Sequence, residues 1–216
     1  MLAGMRTLAI ALLCLVLCRT ALAEPLPLQL AVRAGPETSL PMQKLGDLRL
    51  SIRTSRRTAG YVLLGFGLLS VVAGATIAVV GREQHALLAA GITTASFGAV
   101  NAALAPGLMD LSGAEETSVR ADLARGPHAF AALRESQMVA HLHSGQFFAV
   151  NTGLDVFYIA TGALLCAIAA VRDEPDRWEL GAGVAAIAQG SWLLAFDIVN
   201  WLSSNRRAEA IAALRE

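Results

Sequence analysis

Charge is the first thing this sequence lacks. Only 16% of its 216 residues are Asp, Glu, Lys or Arg, against about 25% in soluble domains, while 55% are hydrophobic. One small water-soluble core cannot absorb that much apolar surface, so the membrane class leads. Lysine is almost missing, Lys44 being the only one, and the formal net charge is zero. Together with an aromatic content of 6%, that argues against nucleic acid as a partner, since neither a basic footprint nor a stacking platform is present. Cysteine is scarce as well. Cys14 and Cys18 sit in an N-terminal apolar run and Cys166 in a later one, so removal of the leader leaves one thiol and no intrachain disulfide. Leu17 stands where a lipid-attachment site at Cys18 needs a small residue, which removes a lipoprotein anchor. No HExxH, paired-Cys or G-x-S-x-G pattern occurs, so no metal, cofactor or serine nucleophile is expected.

What is present is apolar length. Residues 1–23 read as a cleavable signal peptide: Arg6, an apolar run from Leu8 to Cys18, then Ala21-Leu22-Ala23 before Glu24-Pro25. Residues 24–58 form a polar, partly irregular segment with prolines in its first half. Its second half, Gln43 to Arg57, reads as a short interfacial helix or an extended strap. Four long apolar segments follow, pairing as a first hairpin at 59–106 and a second at 146–202. Each is long enough for a tilted helix across about 30 Å of hydrocarbon. A polar helical connection at 107–145 joins the hairpins, with a capping box at Ser112 to Glu115 and Gly145 as a kink candidate, and 203–216 forms a C-terminal tail. The expected fold is therefore all-α: a membrane four-helix bundle of two hairpins, with short extramembrane helices between them.

Two patterns refine that expectation. Tyr61-Val62-x-x-Gly65 echoes Tyr158-Ile159-x-x-Gly162, and Ile92-x-x-x-Ser96-Phe97 echoes Ile187-x-x-x-Ser191-Trp192, at offsets of 97 and 95; this suggests a parallel internal repeat. Glycines recur at sevens, as Gly60, Gly67 and Gly74, as Gly91 and Gly98, and as Gly183 and Gly190. That spacing keeps one seam toward a neighbour in a left-handed bundle and lets backbones approach in lipid.

Orientation clues conflict. The face carrying residue 58, the middle loop and the C-terminus holds twelve Lys or Arg, the hairpin turns three. The positive-inside rule places that face in the cytoplasm, whereas a cleaved signal places it outside. The run at 7–23 is short for a span, so the signal decides our expectation: a bacterial inner-membrane protein with its N-terminal segment, middle loop and C-terminus periplasmic.

Intramembrane polar residues are costly and point to a site. Asn151, Asp155, Tyr158 and Gly162 follow i, i+4, i+7, i+11 on the third span. Gln189, Asp197 and Asn200 share a face of the fourth, and Asn101 reaches a similar depth on the second. Facing one another, these make a buried polar cluster. Two carboxylates in low dielectric cannot both stay charged cheaply, so a proton or cation belongs between them. Alternatively they hydrogen-bond across helices or meet arginines snorkelling from Arg56, Arg57, Arg206 and Arg207. His141 and His143 would project about 200° apart on a helix, which weakens a shared metal site.

Asn151-Thr152-Gly153-Leu154-Asp155-Val156-Phe157-Tyr158-Ile159, followed by Gln189-Gly190-x-x-Leu193-Leu194-x-Phe196-Asp197, resembles a family of uncharacterised bacterial four-span membrane proteins of unknown function. The resemblance covers roughly residues 60 to 202. It implies the four-span architecture and draws attention to Asp155, Tyr158, Gln189 and Asp197, without an activity. In that family the second span tends to carry asparagines and a tryptophan; here Asn101 alone fits, with Ser96 or Phe97 in place of larger polar groups. The functional expectation is a non-enzymatic membrane scaffold or subunit whose partners are the lipid bilayer and either a second copy or another protein. The alternative is a proton- or cation-linked permeation protein using Asp155 and Asp197.

Overall fold

The computed structural model describes residues 40–109, 113–172 and 177–214. The expected signal at 1–23 and the first part of the 24–58 segment lie outside that range. Five α-helices form: α1 (Leu40–Val80), α2 (His85–Leu104), α3 (Ala114–Ala124), α4 (Phe130–Val171) and α5 (Trp178–Ala212). Short 3-10 turns occupy Ala105–Leu108 and Pro127–Ala129, and no strand occurs among the described residues. Four helices, α1, α2 with its 3-10 extension, α4 and α5, are long and apolar enough to cross a membrane.

Three of them are longer than hydrocarbon requires. A span needs about 20 residues, yet α1, α4 and α5 have 41, 42 and 35. The surplus lies at the N-terminal ends of α1 and α4 and the C-terminal end of α5, which belong to one face. There it makes a helical cap with its own apolar core: Met42, Leu45 and Ile52 from α1, Phe130 and Leu133 from α4, and Ile211 from α5. The short helix α3 closes this cap. Leu123 packs against the core, and buried Arg49 donates from Nη1 to buried Asp122 Oδ2 at 2.7 Å.

The cap corrects the sequence reading at several points. Gln43 to Arg57 is neither a separate interfacial helix nor a strap but the start of α1. Met42, Leu45, Arg49 and Ile52 recur at helical spacing and are buried, and no proline interrupts the chain between them and the first span. Residues 203–212 are likewise the last turns of α5 and not a tail. Gly145 causes no break in α4; it admits α5 instead, since a Cβ there would stand 2.8 Å from Asn205 Oδ1. Of the capping box, Ser112 and the Glu115 side chain lie outside the described parts, and α3 begins after Gly113 in the left-handed region, φ 72°.

Within the membrane, glycine pairs set the spacing. A Cβ on Gly98 would lie 2.6 Å from the Gly67 carbonyl, and one on Gly67 2.8 Å from that of Gly98. Gly74 and Gly91 repeat the relation one heptad on, each 2.6 Å from the other's carbonyl. Gly162 and Gly183 do the same between α4 and α5, at 2.7 and 2.6 Å. Backbone against backbone is the closest approach helices make, and it is gained where lipid offers no hydrophobic drive. The two pairs join through α2 against α5, through a ring stack of Phe66, Trp192 and Phe196, and through Phe97 edge-on to Tyr158 at 5.1 Å. Leu68, Leu69, Val72, Val156, Phe157 and Leu164 remain exposed, the outward surface that hydrocarbon would cover.

One of the two sequence echoes, Tyr61 to Gly65 against Tyr158 to Gly162, places its glycines in different environments. Gly65 is exposed with nothing within 4 Å of a Cβ, whereas its counterpart Gly162 is buried on Gly183.

Candidate functional site

The aspartates occupy the α4–α5 seam. On α4, His141, Phe148, Asp155, Gly162 and Ala169 are spaced by sevens and all buried. On α5 the corresponding row is Gly183, Gly190, Asp197, Ser204 and Ile211, also all buried. Heptad spacing keeps both rows turned toward each other along the antiparallel pair. Gly190 makes the room, because a Cβ there would lie 3.2 Å from the Asp155 carbonyl oxygen. Asp155 is 3% exposed and Asp197 5%, and their carboxyl groups come within side-chain hydrogen-bonding reach of each other. Neither has an arginine partner among the described residues. The ion pairs of the described turn and cap lie elsewhere: Arg172 with Glu179, and Asp122 with Arg49 and Arg125.

A cavity of about 540 Å³ runs from the cap face to this pair, between α1, the end of α2, α4 and α5. Asn101, Asn151, Asp197 and Asn200 line it deeper in the spans; Ser144, Ser204 and His143 line it nearer the cap, with His141, Arg56 and Arg207 on the turns closest to the cap. The ten residues from Arg207 to Asp197 span about 15 Å of helix at 1.5 Å per residue. Between these polar groups the lining is apolar, with Leu63, Leu104, Leu108, Phe147 and Phe148. Phe196 closes the inner end, backed by Trp192 and Phe66 in the ring stack.

The seven residues singled out from sequence thus separate into three groups. Asn101, Asn151, Asp197 and Asn200 reach the cavity, and Asp155 meets Asp197 behind its wall. Tyr158 is one turn further along α4 and packs on Phe97. Gln189 lies beyond the ring stack and donates from Nε2 to Ser70 Oγ at 3.3 Å. Asn200 uses its amide on the Phe196 carbonyl, at 2.8 Å. Among the described residues six buried side-chain atoms have no hydrogen-bond partner: the Nε of Arg49, Arg53 and Arg57 on α1, and Asn101 Nδ2, Asp155 Oδ2 and Gln189 Oε1 within the spans. In low dielectric such atoms cost about 1–3 kcal/mol each; of the six, Asp155 Oδ2 belongs to the carboxyl pair and Asn101 Nδ2 to a residue that lines the cavity. Ser70 was missed from sequence, although it extends the buried stripe Leu63, Gly67, Ser70, Gly74 at i, i+4, i+7, i+11. Of the arginines offered as partners for the aspartates, Arg56 and Arg207 line the cavity and Arg57 lies on Tyr61. Among the described residues no group of three or more His, Cys, Asp or Glu could hold a metal ion.

A family model described as a family of unknown function, DUF6992, matches residues 62–198. That stretch holds both aspartates and the glycine pairs but not Arg56, Asn200 or Arg207. No curated protein and no solved structure matches the chain.

Proposed function

We propose that this chain, which belongs to the DUF6992 family of unknown function, is a proton- or cation-linked membrane protein whose exchangeable charge is shared by Asp155 and Asp197. One observation carries this reading: two buried carboxyl groups, in mutual hydrogen-bonding reach and with no arginine partner among the described residues, at the inner end of a cavity lined by Asn101, Asn151 and Asn200. Two carboxyls approach this closely only with a proton or cation between them, since like charges in a low dielectric repel by several kcal/mol. The cavity supplies the exchange route from the cap face. Beyond it the Phe66–Trp192–Phe196 stack is a dry barrier, and the Gln189–Ser70 bond is the next polar step toward the hairpin turns. Complete transfer needs motion at that stack or assembly with further copies.

A scaffold whose polar cluster serves only to hold helices together explains less. Packing alone is satisfied by small residues such as Gly162, Ala169, Gly183, Gly190 and Ser204 on the same two rows, and it leaves Asp155 Oδ2 and Asn101 Nδ2, unpartnered among the described residues, without purpose. We place the protein in the bacterial inner membrane with the cap face periplasmic, a reading that rests on the sequence signal at 1–23.

The test is flux. Purified protein reconstituted in liposomes containing a pH-sensitive dye is given a pH or cation gradient under a clamped potential. Flux above that of empty vesicles, lost in Asp197→Asn and Asp155→Asn with folding intact, is the expected result. Vesicles no leakier than protein-free controls under every gradient would refute the proposal.

A further inference from the structure

The outer end of the cavity carries chemistry that proton exchange does not use. Arg56 and Arg207 both face it, and their charges act on one another and on His141. Arg207 donates to Ser55 Oγ; neither guanidinium has a carboxylate partner among the described residues. Two cations held together without a counter-ion are costly unless an anion joins them, and guanidinium forks suit carboxylate and phosphate oxygens. Apolar side chains, Leu63, Leu104, Leu108, Phe147 and Phe148, also line the cavity. Inside, Asn101 Nδ2 is an unpartnered donor on a side chain 4% exposed. The volume of about 540 Å³ lies in the range of roughly 300–1,000 Å³ typical of small-molecule sites.

We infer that this cavity binds a membrane-derived, single-chain anionic amphiphile, its carboxylate or phosphate held between Arg56 and Arg207 and its hydrocarbon chain laid along the Leu63–Leu104–Phe147 wall. Charge complementarity selects the occupant. A neutral lipid leaves the arginines unmatched, a free inorganic anion leaves the apolar wall wet, and a zwitterionic headgroup brings a choline against two guanidiniums. The depth places the headgroup where Arg56 and Arg207 emerge from the apolar spans, level with the bilayer's own headgroups. The inference concerns the mouth and the apolar wall; it does not require Asp155 and Asp197 to exchange protons.

The probe is cis-parinaric acid, titrated into the full chain in a non-ionic detergent and read by energy transfer from tryptophan; Trp192 and Trp201 lie on the same helix as Arg207. Saturable one-to-one binding is expected, competed by palmitate and by lysophosphatidylglycerol but not by methyl palmitate or lysophosphatidylcholine. Arg56→Gln with Arg207→Gln should weaken binding by about tenfold or more, as expected for loss of charge-assisted hydrogen bonds. Arg56→Lys, which keeps the charge on an exposed residue, should restore part of it. Because Arg207 also holds Ser55, a second variant guards against misfolding: Ala59→Phe fills the cavity beside Leu63 and should abolish chain binding while leaving the melting temperature near wild type. Asp155→Asn, a residue that does not line the cavity, should bind the probe normally, which separates this result from the flux experiment. Non-saturable uptake, equal competition by the methyl ester, or indifference to both arginine replacement and Ala59→Phe overturns the inference. Competition by inorganic phosphate at the same concentration as palmitate overturns the amphiphile and leaves a simple anion site.

Discussion

Removing Arg49 should unlatch α3 from the rest of the cap. Its side chain is 8% exposed and that of Asp122 12%, with 2.7 Å between Nη1 and Oδ2. Breaking a buried pair from one side costs about 3–5 kcal/mol, because the survivor stays buried and unmatched. Asp122 keeps a second cation, Arg125, but at 3.5 Å and on a side chain 66% exposed; such contacts contribute at most about 1 kcal/mol. The lower end of the range applies, so Arg49→Met should lower the free energy of α3 opening by about 3 kcal/mol, roughly a hundredfold in the opening constant at 1.4 kcal/mol per decade. Amide hydrogen exchange of residues 117–124 in detergent reads that constant directly. Arg49→Met with Asp122→Leu removes both charges and lets Leu join the neighbouring Met42–Leu45–Phe130 core, so exchange should return to within about fivefold of wild type. Exchange in Arg49→Met within threefold of wild type, or a double variant as labile as the single one, would show that the apolar contacts alone hold α3.

Two other perturbations probe the membrane part. Gly98→Ala puts a methyl 2.6 Å from both the Gly67 carbonyl and the Val71 nitrogen; backbone cannot step aside, so a loss of about 1–3 kcal/mol or more is expected, seen as a lower midpoint in detergent melts. Gly65→Ala, with open space around it, should fall within about 0.5 kcal/mol of wild type, and equal effects at the two sites would contradict the seam. Gln189→Leu, Ser70→Ala and their combination form a double-mutant cycle for the 3.3 Å bond. Its coupling in denaturant-induced unfolding should be about 0.6 kcal/mol, the average for polar pairs inside membranes. A coupling above about 1.7 kcal/mol exceeds the maximum for such pairs and would mean that Gln189 belongs to a wider network reaching the aspartates.

Sequence made the four apolar helices plain because hydrophobic length is a direct demand of the bilayer, and the glycines at sevens pointed to the seams that Gly67, Gly98, Gly162 and Gly183 form. It misjudged the cap for a physical reason. Between Leu40 and Thr58 the charges and polar residues dominate the composition, so the segment reads as solvated, yet Met42, Leu45, Arg49 and Ile52 lie on one buried stripe. A buried arginine on that stripe hides the periodicity, since its partner Asp122 is 73 residues away. One of the short echoes does not carry over position by position. Tyr61 to Gly65 matches Tyr158 to Gly162 in letters, but Gly65 faces outward and Gly162 inward; in apolar sequence of low complexity, a five-residue likeness does not fix which way a helix turns.

The site was half legible for a related reason. Spacing could place Asp155 and Asp197 on inward stripes, but distance across the seam depends on register between α4 and α5, which Gly162 on Gly183 and Gly190 on Asp155 settle. Register also explains why Gln189 and Tyr158, on the same stripes by count, do not join the pair: the ring stack at Trp192 intervenes for one, and Phe97 takes up the other. The arrangement has an energetic consequence. At every other inner position of the α5 row before the cap the residue is glycine, and each glycine draws the helices together. Asp197 instead holds a carboxyl against Asp155 at a depth where a charge costs about 2.5–3.5 kcal/mol, with no arginine among the described residues to offset it and with Asn101, Asn151 and Asn200 lining the adjoining cavity. A seam built only for tight packing would be more stable with a small residue at either position, so the pair is best understood through what the cavity can deliver to it.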